Sequence, residues 1–249
     1  MSKIALLIPS TSNGRNEWIS AKDTYLYAHT MRTFGITYDK EHTYRFYIGI
    51  DRSDRIYDKD AIKQYFTRFA SILSNVSIEF IYMDDIAKGH LTVMWNRLFE
   101  KAYADGYDYF LQCGDDIAFE TRGWVNDCIQ TLLKSNGVGM TGPMNNNSRI
   151  LTQSFVSRKH MELFGYYFPP EIINWCCDDW INIVYQKMNA FYPLVKHICI
   201  NVGGTPRYIV ANDMAKQMRL SKTIVELREH CAEIAERDIA RVFGSKKID

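Results

Sequence analysis

The chain alternates between short, nearly continuous apolar runs and longer segments whose apolar residues return every three or four positions. KIALLI at residues 3–8, YRFYIGID at 44–51 and VSIEFIYMD at 76–84 are runs of the first kind. Continuous apolarity over so few residues predicts strands buried on both faces. The intervening segments predict helices. One is opened by Ser20 and Asp23 at capping-box spacing and runs to about Phe34; the other covers 60–73. The clearest helical period belongs to Leu91, Met94, Trp95, Leu98, Phe99 and Ala102, an apolar stripe that leaves Asn96 and Arg97 away from its centre and stops at ADG. A strand at YDYFLQC follows at once, so the front half reads strand, helix, strand, helix, strand, helix, strand. That order calls for an α/β sheet with parallel neighbours.

The back half is less regular. Val125, Cys128, Ile129, Leu132 and Leu133 mark a helix, VGMTG a short strand, PMNNNSR a polar turn and ILTQSFV another strand. Ser157 is placed to cap RKHMELF, which Gly165 closes. An aromatic loop, YYFPPEIINWCC, precedes a helix at DDWINIVYQKM, and VKHICINVGGTPRY gives a last strand with a glycine turn. From about Ser221 a charged helix carries a docking stripe of Ile224, Leu227, Cys231 and Ile234. With no repeat or linker between the pieces, the expectation is one domain: an α/β front half at 1–117, a more irregular back half at 118–208 and a helical tail at 209–249.

Composition narrows the function classes. Thirty Lys and Arg against 29 Asp and Glu give a formal charge of +1 in 249 residues, which supports neither a nucleic-acid binder nor a membrane-surface protein. The six cysteines show no CxxC or finger spacing, so they read as reduced, mostly buried residues of an intracellular protein. The opening MSKIALLIPS is too short in its apolar part to span a bilayer or to act as a secretory segment, and no later run approaches spanning length. The expected location is the cytoplasm, without a transmembrane segment.

Charge concentrates at the strand end QCGDD. Asp115 and Asp116 repel one another unless something positive lies beside them, and a magnesium or manganese ion would do so while sharing its shell with phosphate oxygens. A solvated strand end is the plain alternative. His197, far along the chain in VKHICI, is a candidate third ligand. Asp178 and Asp179 open a helix, where one caps the first turn and the other is free to act as a base toward a ligand. Trp175 and Trp180 bracket them and could wall a sugar. The loop after the first strand, with Pro9, Ser10, Thr11 and Arg15, has neither a P-loop nor a GxGxxG fingerprint, yet its hydroxyls suit a nucleotide pocket. Asp51 suits a ribose hydroxyl or base amide, and Asn145 and Asn146 suit acceptor hydroxyls.

Taken in order, IALLIPS, YIGID, YDYFLQCGDDIAFETRGW, TGP, FVSRKHMELFGYYFP and NWCCDDW resemble the GT-A fold nucleotide-sugar-dependent glycosyltransferases, particularly little-characterised members from large DNA viruses and protists. The resemblance covers most of residues 3–208. It implies a GT-A-like nucleotide-diphospho-sugar transferase domain with a mixed, mostly parallel central sheet flanked by helices; the tail after about Ile209 lies outside the resemblance and is read as a C-terminal docking helix. In that class an acidic DxD element holds a divalent metal on the donor diphosphate; here Gly114-Asp115-Asp116 lacks the first acidic position. The resemblance further implies nucleoside recognition by Asp51, nucleotide contact by 10–15 with Asp115, an acceptor-activating base at Asp178 or Asp179, and a late metal-ligating histidine at His197. The expected reaction is metal-dependent transfer, with inversion, from a nucleoside-diphosphate sugar to a glycan or other hydroxyl acceptor. A sugar nucleotidyltransferase and a catalytically inactive binding protein are the alternatives.

Overall fold

The computed structural model describes residues 1–203 and 224–244. The glycine turn from Gly204 to Tyr208, the start of the tail helix at Ser221 and the side chain of Ile224 lie outside the described residues, as does the expected boundary at 208/209. Eight strands form one sheet in the order β3-β2-β1-β4-β7-β6-β8-β5. They are β1 (Lys3–Pro9), β2 (Thr43–Ile50), β3 (Val76–Tyr82), β4 (Tyr109–Gln112), β5 (Ile117–Phe119), β6 (Met140–Met144), β7 (Ser154–Ser157) and β8 (Phe191–Asn201). The front four are parallel, with Lys3 opposite Thr43 and Ile4 opposite Tyr109. β7 runs antiparallel to β4 and β6, while β6 and β8 are parallel and β5 is antiparallel to β8.

Helices cover both faces. β1 shows why its apolar run is continuous: Ile4, Leu6 and Ile8 enter one core, Ala5 and Leu7 the other, and all are fully buried. The first core is closed by α1 (Arg32–Thr37), α2 (Asp60–Ile72) and α4 (Trp124–Lys134); the second by α3 (Leu91–Ala104), α5 (Lys159–Phe164), α6 (Cys177–Lys187) and α7 (Ile224–Phe243). Leu98, Phe99 and Ala102 of α3 are wholly buried. Burying a Leu or Phe side chain contributes about 1.5–3 kcal/mol, so this stripe alone fixes α3 firmly. In the tail helix, Leu227, Cys231 and Ile234 join Ala235 and Ile239 in the second core, as a docking stripe should.

Three expectations change on folding. The Ser20–Asp23 capping interaction forms, with the Asp23 carboxylate accepting the Ser20 N–H at 2.8 Å, but it opens only a 3-10 turn at Ala21–Asp23. Thr24 is extended and restarts the chain, its hydroxyl accepting the Tyr27 N–H, so a π-helical turn at Leu26–Met31 precedes α1. The helical Thr30 and Thr33 hydroxyls in turn accept the N–H groups of Ile117 and Phe119, which fixes β5. Asn96 is buried rather than peripheral: it accepts the Tyr167 and Phe168 N–H groups and donates to Phe168 O. Finally, the strand expected over 150–156 is confined to 154–157. Asn147 accepts the Arg149 N–H, and Asn182 takes both backbone groups of Leu151, so no ladder forms there.

Candidate active site

Because β1, β2 and β4 are parallel and in register, Pro9, Ile50 and Gln112 end at one edge of the sheet. β1 lies between β2 and β4, so chain order reverses there, and open α/β sheets bind ligands at such a switch point. Two cavities open at this edge. One, of about 340 Å³, is lined by Pro9, Ser10, Thr11, Gln112, Gly114, Asp115, Asp116, Gln153, Asp178 and Asn201, with Leu91, Met94 and Trp95 as an apolar wall. The other, of about 440 Å³, is lined by Thr11 to Gly14, Asp51 to Arg55 and Lys88. Thr11 belongs to both.

The second cavity is organised by Asp54, which the sequence reading passed over. Its carboxylate accepts the Ser12 N–H at 2.8 Å, the Ser12 hydroxyl at 2.7 Å and the Thr11 hydroxyl at 3.0 Å, and it caps the N–H groups of Ile56 and Tyr57. Burial alone would raise Asp54, but these donors outweigh it and hold its pKa below the ordinary carboxylate value. The loop after β1 is thereby fastened to the loop after β2. Asp51 lines this cavity, nine-tenths buried, in an ion pair with Lys88. Arg15 does not reach either cavity. Its guanidinium lies 5.2 Å from the Tyr25 ring centre and 6.0 Å from that of Trp18, and Arg55 binds its backbone oxygen at 2.6 Å. Arg15 therefore packs and braces the loop.

In the first cavity the strand-end pair is split. Asp115 is fully buried, with the Tyr57 hydroxyl 3.4 Å from its carboxylate. Asp116 is partly exposed and folds back over Gly114, where an added Cβ would lie 2.5 Å from Asp116 Oδ1. Only glycine leaves room for that arrangement. Ser10, 3% exposed, has a hydroxyl with no partner among the described residues, a buried donor at the cavity wall that a ligand oxygen would satisfy. Two carboxylates and neighbouring hydroxyls form the all-oxygen donor set that magnesium or manganese takes. Among the described residues no group of three or more His, Cys, Asp and Glu side chains is placed to hold a metal, so water and substrate oxygens would have to complete such an ion's shell.

His197 is not brought to this pair. Its Nε2 is 2.8 Å from Asp127 and its Nδ1 3.2 Å from the Thr121 hydroxyl, so both ring nitrogens are engaged between β8 and α4. The reason is distance along the strand. Asn201, the β8 residue that does line the cavity, is four residues further along, about 13 Å at strand rise.

The helix-start pair is split too. Asp178 lines the cavity, and burial, with the neighbouring Asp179 charge adding to it, pushes its pKa up to about 7. Asp179 instead forms an ion pair with Arg149, with Arg228 Nε 3.7 Å away. The aromatic wall does not form. Trp180 is fully buried, donates to Asp238 at 3.1 Å and packs against Phe164 and Tyr166. Trp175 is 38% exposed and borders neither cavity, though its neighbour Asn174 does. Asn146 pairs with the backbone of Asn201, donating to its oxygen at 2.9 Å and accepting its N–H at 3.1 Å. Asn145 accepts the Asn147 N–H, and its buried Nδ2 has no partner among the described residues.

Several lining residues were missed. Gln112 and Gln153 did carry a signal, a polar residue inside the apolar runs YFLQC and LTQSF, and so did the repeated aspartates of DRSDRIYD. Lys88 and Asn201 carried none, because their partners are distant in sequence, and the same holds for Arg149, which lines neither cavity but pairs with Asp179.

The sequence matches no protein-family model and no curated protein. The fold, however, is similar to that of S. aureus TarS. With the TarS chain the likeness has a TM-score of 0.55 at 13% identity, over 99% of this chain and 44% of that one. With the 1–349 fragment in complex with UDP-GlcNAc it has a TM-score of 0.57 at 12% identity, over 97% and 71%. With the UDP complex the values are 0.53 and 11%, over 96% and 70%. This chain thus spans less than half the length of the longer TarS chain. Likeness at such identity is a likeness of fold: the GT-A-like single α/β domain, with its mostly parallel sheet between helical layers and its C-terminal helix.

Proposed function

We propose that this chain is a glycosyltransferase that moves a sugar from a nucleoside-diphosphate sugar to an acceptor hydroxyl in a single inverting displacement. The observation that carries the reading is the cavity at the switch point, where the Ser10–Thr11 loop, the Asp115–Asp116 pair and Asp178 meet. The likeness to TarS, solved with UDP and with UDP-GlcNAc, supports it and makes a uridine donor the first to test. The cavity around Asp51 and Asp54 would take the nucleoside, its walls offering hydroxyl, amide and carboxylate partners. Ser10 and Thr11, common to the loop between the cavities, would meet the diphosphate. Asp116, backed by Asp115, would hold a divalent cation, which supplies neutralisation of the charge that develops on the leaving diphosphate. The apolar wall of Leu91, Met94 and Trp95 would exclude water from the sugar side.

Asp178 would take the acceptor proton as the new bond to the anomeric carbon forms. A base poised near neutrality combines a useful ionised fraction with driving force for proton transfer, and a pKa of about 7 gives that poise. Donor consumption should then rise with pH up to about 7 and level off above it.

The deciding experiment presents a panel of nucleotide sugars, with and without manganese, and follows binding, slow donor hydrolysis and pyrophosphate release. Metal-dependent hydrolysis of one donor, lost in Asp116→Asn, is the expected result. Pyrophosphate formation from a sugar phosphate and a nucleoside triphosphate would instead indicate a nucleotidyltransferase, and binding without turnover an inactive binding protein.

A further inference from the structure

Asp179 is gripped from two other parts of the chain. Arg149, at the end of the asparagine turn, forms an ion pair with its Oδ1, and Arg228 of α7 approaches the same oxygen at 3.7 Å. Asp179 is 7% exposed, whereas both arginine side chains are 46% exposed and so reach in from the surface. The turn is stitched to α6 at a second point: Asn182 donates to Leu151 O and to Asp178 O, each at 2.8 Å, and accepts the Leu151 N–H at 3.1 Å. The segment at 145–151, the first turn of α6 and the tail helix therefore converge beside the carboxylate that lines the cavity.

We propose that Arg149, seconded by Arg228, is a positioning residue for Asp178: by neutralising Asp179 it lets Asp178 serve as proton acceptor near neutral pH, and it ties that capacity to the seating of the asparagine turn and the tail helix. The proposal rests on the reading of Asp178 as the base. An uncompensated carboxylate next to Asp178 disfavours a second negative charge, and a cation on that neighbour relieves it. Asp179 pushes Asp178 up and Arg149 pulls it down. The other titratable groups around the pair act in fixed ways. The Cys177 thiol approaches Asp178 Oδ1 at 3.9 Å from the same helix, Tyr167 faces it from the segment after α5, and Cys176 and Cys231 lie toward Asp179. Burial is the largest influence on Asp178 and the Cys177 contact lowers it ahead of Arg149, but none of these four brings a compensating cation, so the charge that answers Asp179 comes from the arginines.

The test reads the Asp178 carboxylate directly, by carbon-13 NMR titration of the full chain with the resonance assigned by its loss in Asp178→Asn. Arg149→Met should raise the titration midpoint by on the order of one pH unit and Asp179→Asn should lower it by a similar amount, while Arg149→Lys returns it close to the parent value. The pH profile of donor consumption should move in the same directions. Arg228→Met, at an exposed position, should give a smaller upward shift and serves if Arg149→Met fails to fold. An unmoved midpoint in folded Arg149→Met or Arg228→Met, or shifts of the same sign in Arg149→Met and Asp179→Asn, would overturn the proposal. Shifts as expected in a protein that consumes no donor would instead leave the coupling standing and sink the reading of Asp178 as a base.

Discussion

Two aspartate pairs meet one cavity, and they come to it by different routes. At the strand end, Asp115 is swallowed by the fold beside Tyr57 while Asp116 stays at the surface through the missing side chain of Gly114. At the helix start, Asp179 is drawn aside by arginines from the asparagine turn and the tail helix, which leaves Asp178 at the cavity wall. Of the strand-end pair, Asp116 is arranged by its sequence neighbour Gly114 and Asp115 meets Tyr57, 58 residues away; the helix-start pair is divided by cations 30 and 49 residues away. In each pair one carboxylate is buried or ion-paired and the other remains accessible to the cavity.

The largest effect should fall on Asp178. Asp178→Asn is expected to slow transfer about 10²–10⁴-fold, with donor affinity by calorimetry unchanged; if Asp179→Asn carries that loss and Asp178→Asn does not, the division of roles is reversed. The same variant tests the burial. The native state keeps a proton on Asp178 from the ordinary value of 3.8 up to about 7, so it binds more protons than the unfolded chain across that window, and stability falls as pH rises through it. Asp178→Asn should remove that fall and unfold at a higher temperature than the parent protein at pH 8, while the two converge near pH 4.

Gly114→Ala comes next. Its Cβ would meet Asp116 Oδ1 at 2.5 Å and force the carboxylate away, which should weaken nucleoside-diphosphate binding in the presence of manganese about tenfold, or about 1.4 kcal/mol. An unchanged isotherm would show that the Asp116 conformation does not matter to the donor. The smallest change in function should come from Trp180→Phe. Loss of the hydrogen bond to the fully buried Asp238 should cost about 1–3 kcal/mol, read as a lower unfolding temperature, with donor binding intact. A variant that binds acceptor poorly but melts like the parent would return Trp180 to the sugar wall from which its burial removes it.

The elements that repeat a simple pattern were legible in the chain. β1, β2, β3 and α3 announced themselves because each buries residues at its own geometric period, and QCGDD stood out because paired charge ends an apolar strand. The 20–34 helix failed where local chemistry competed with periodicity: Thr24 uses its hydroxyl to start a new turn. His197 failed for a different reason. A histidine in a strand gives no sign of which way it faces or what waits there, and here Asp127 and Thr121 wait. Trp180, likewise, reads as an aromatic wall until Asp238 and the ring cluster of α5 surround it.

What the sequence determined by itself was the order of elements, the parallel front sheet and therefore the edge at which ligands gather, because hydrophobic period and turn chemistry act over a few residues at a time. Tertiary structure alone decided that Asp115 is buried while Asp116 stays partly exposed, that Asp178 rather than Asp179 lines the cavity, that the Arg15 guanidinium lies against Tyr25 and Trp18, and that Arg149 and Arg228 attend Asp179. Those outcomes depend on burial and on charges brought together from distant segments, and the energy of a carboxylate is set by its surroundings in space rather than by its neighbours in the chain.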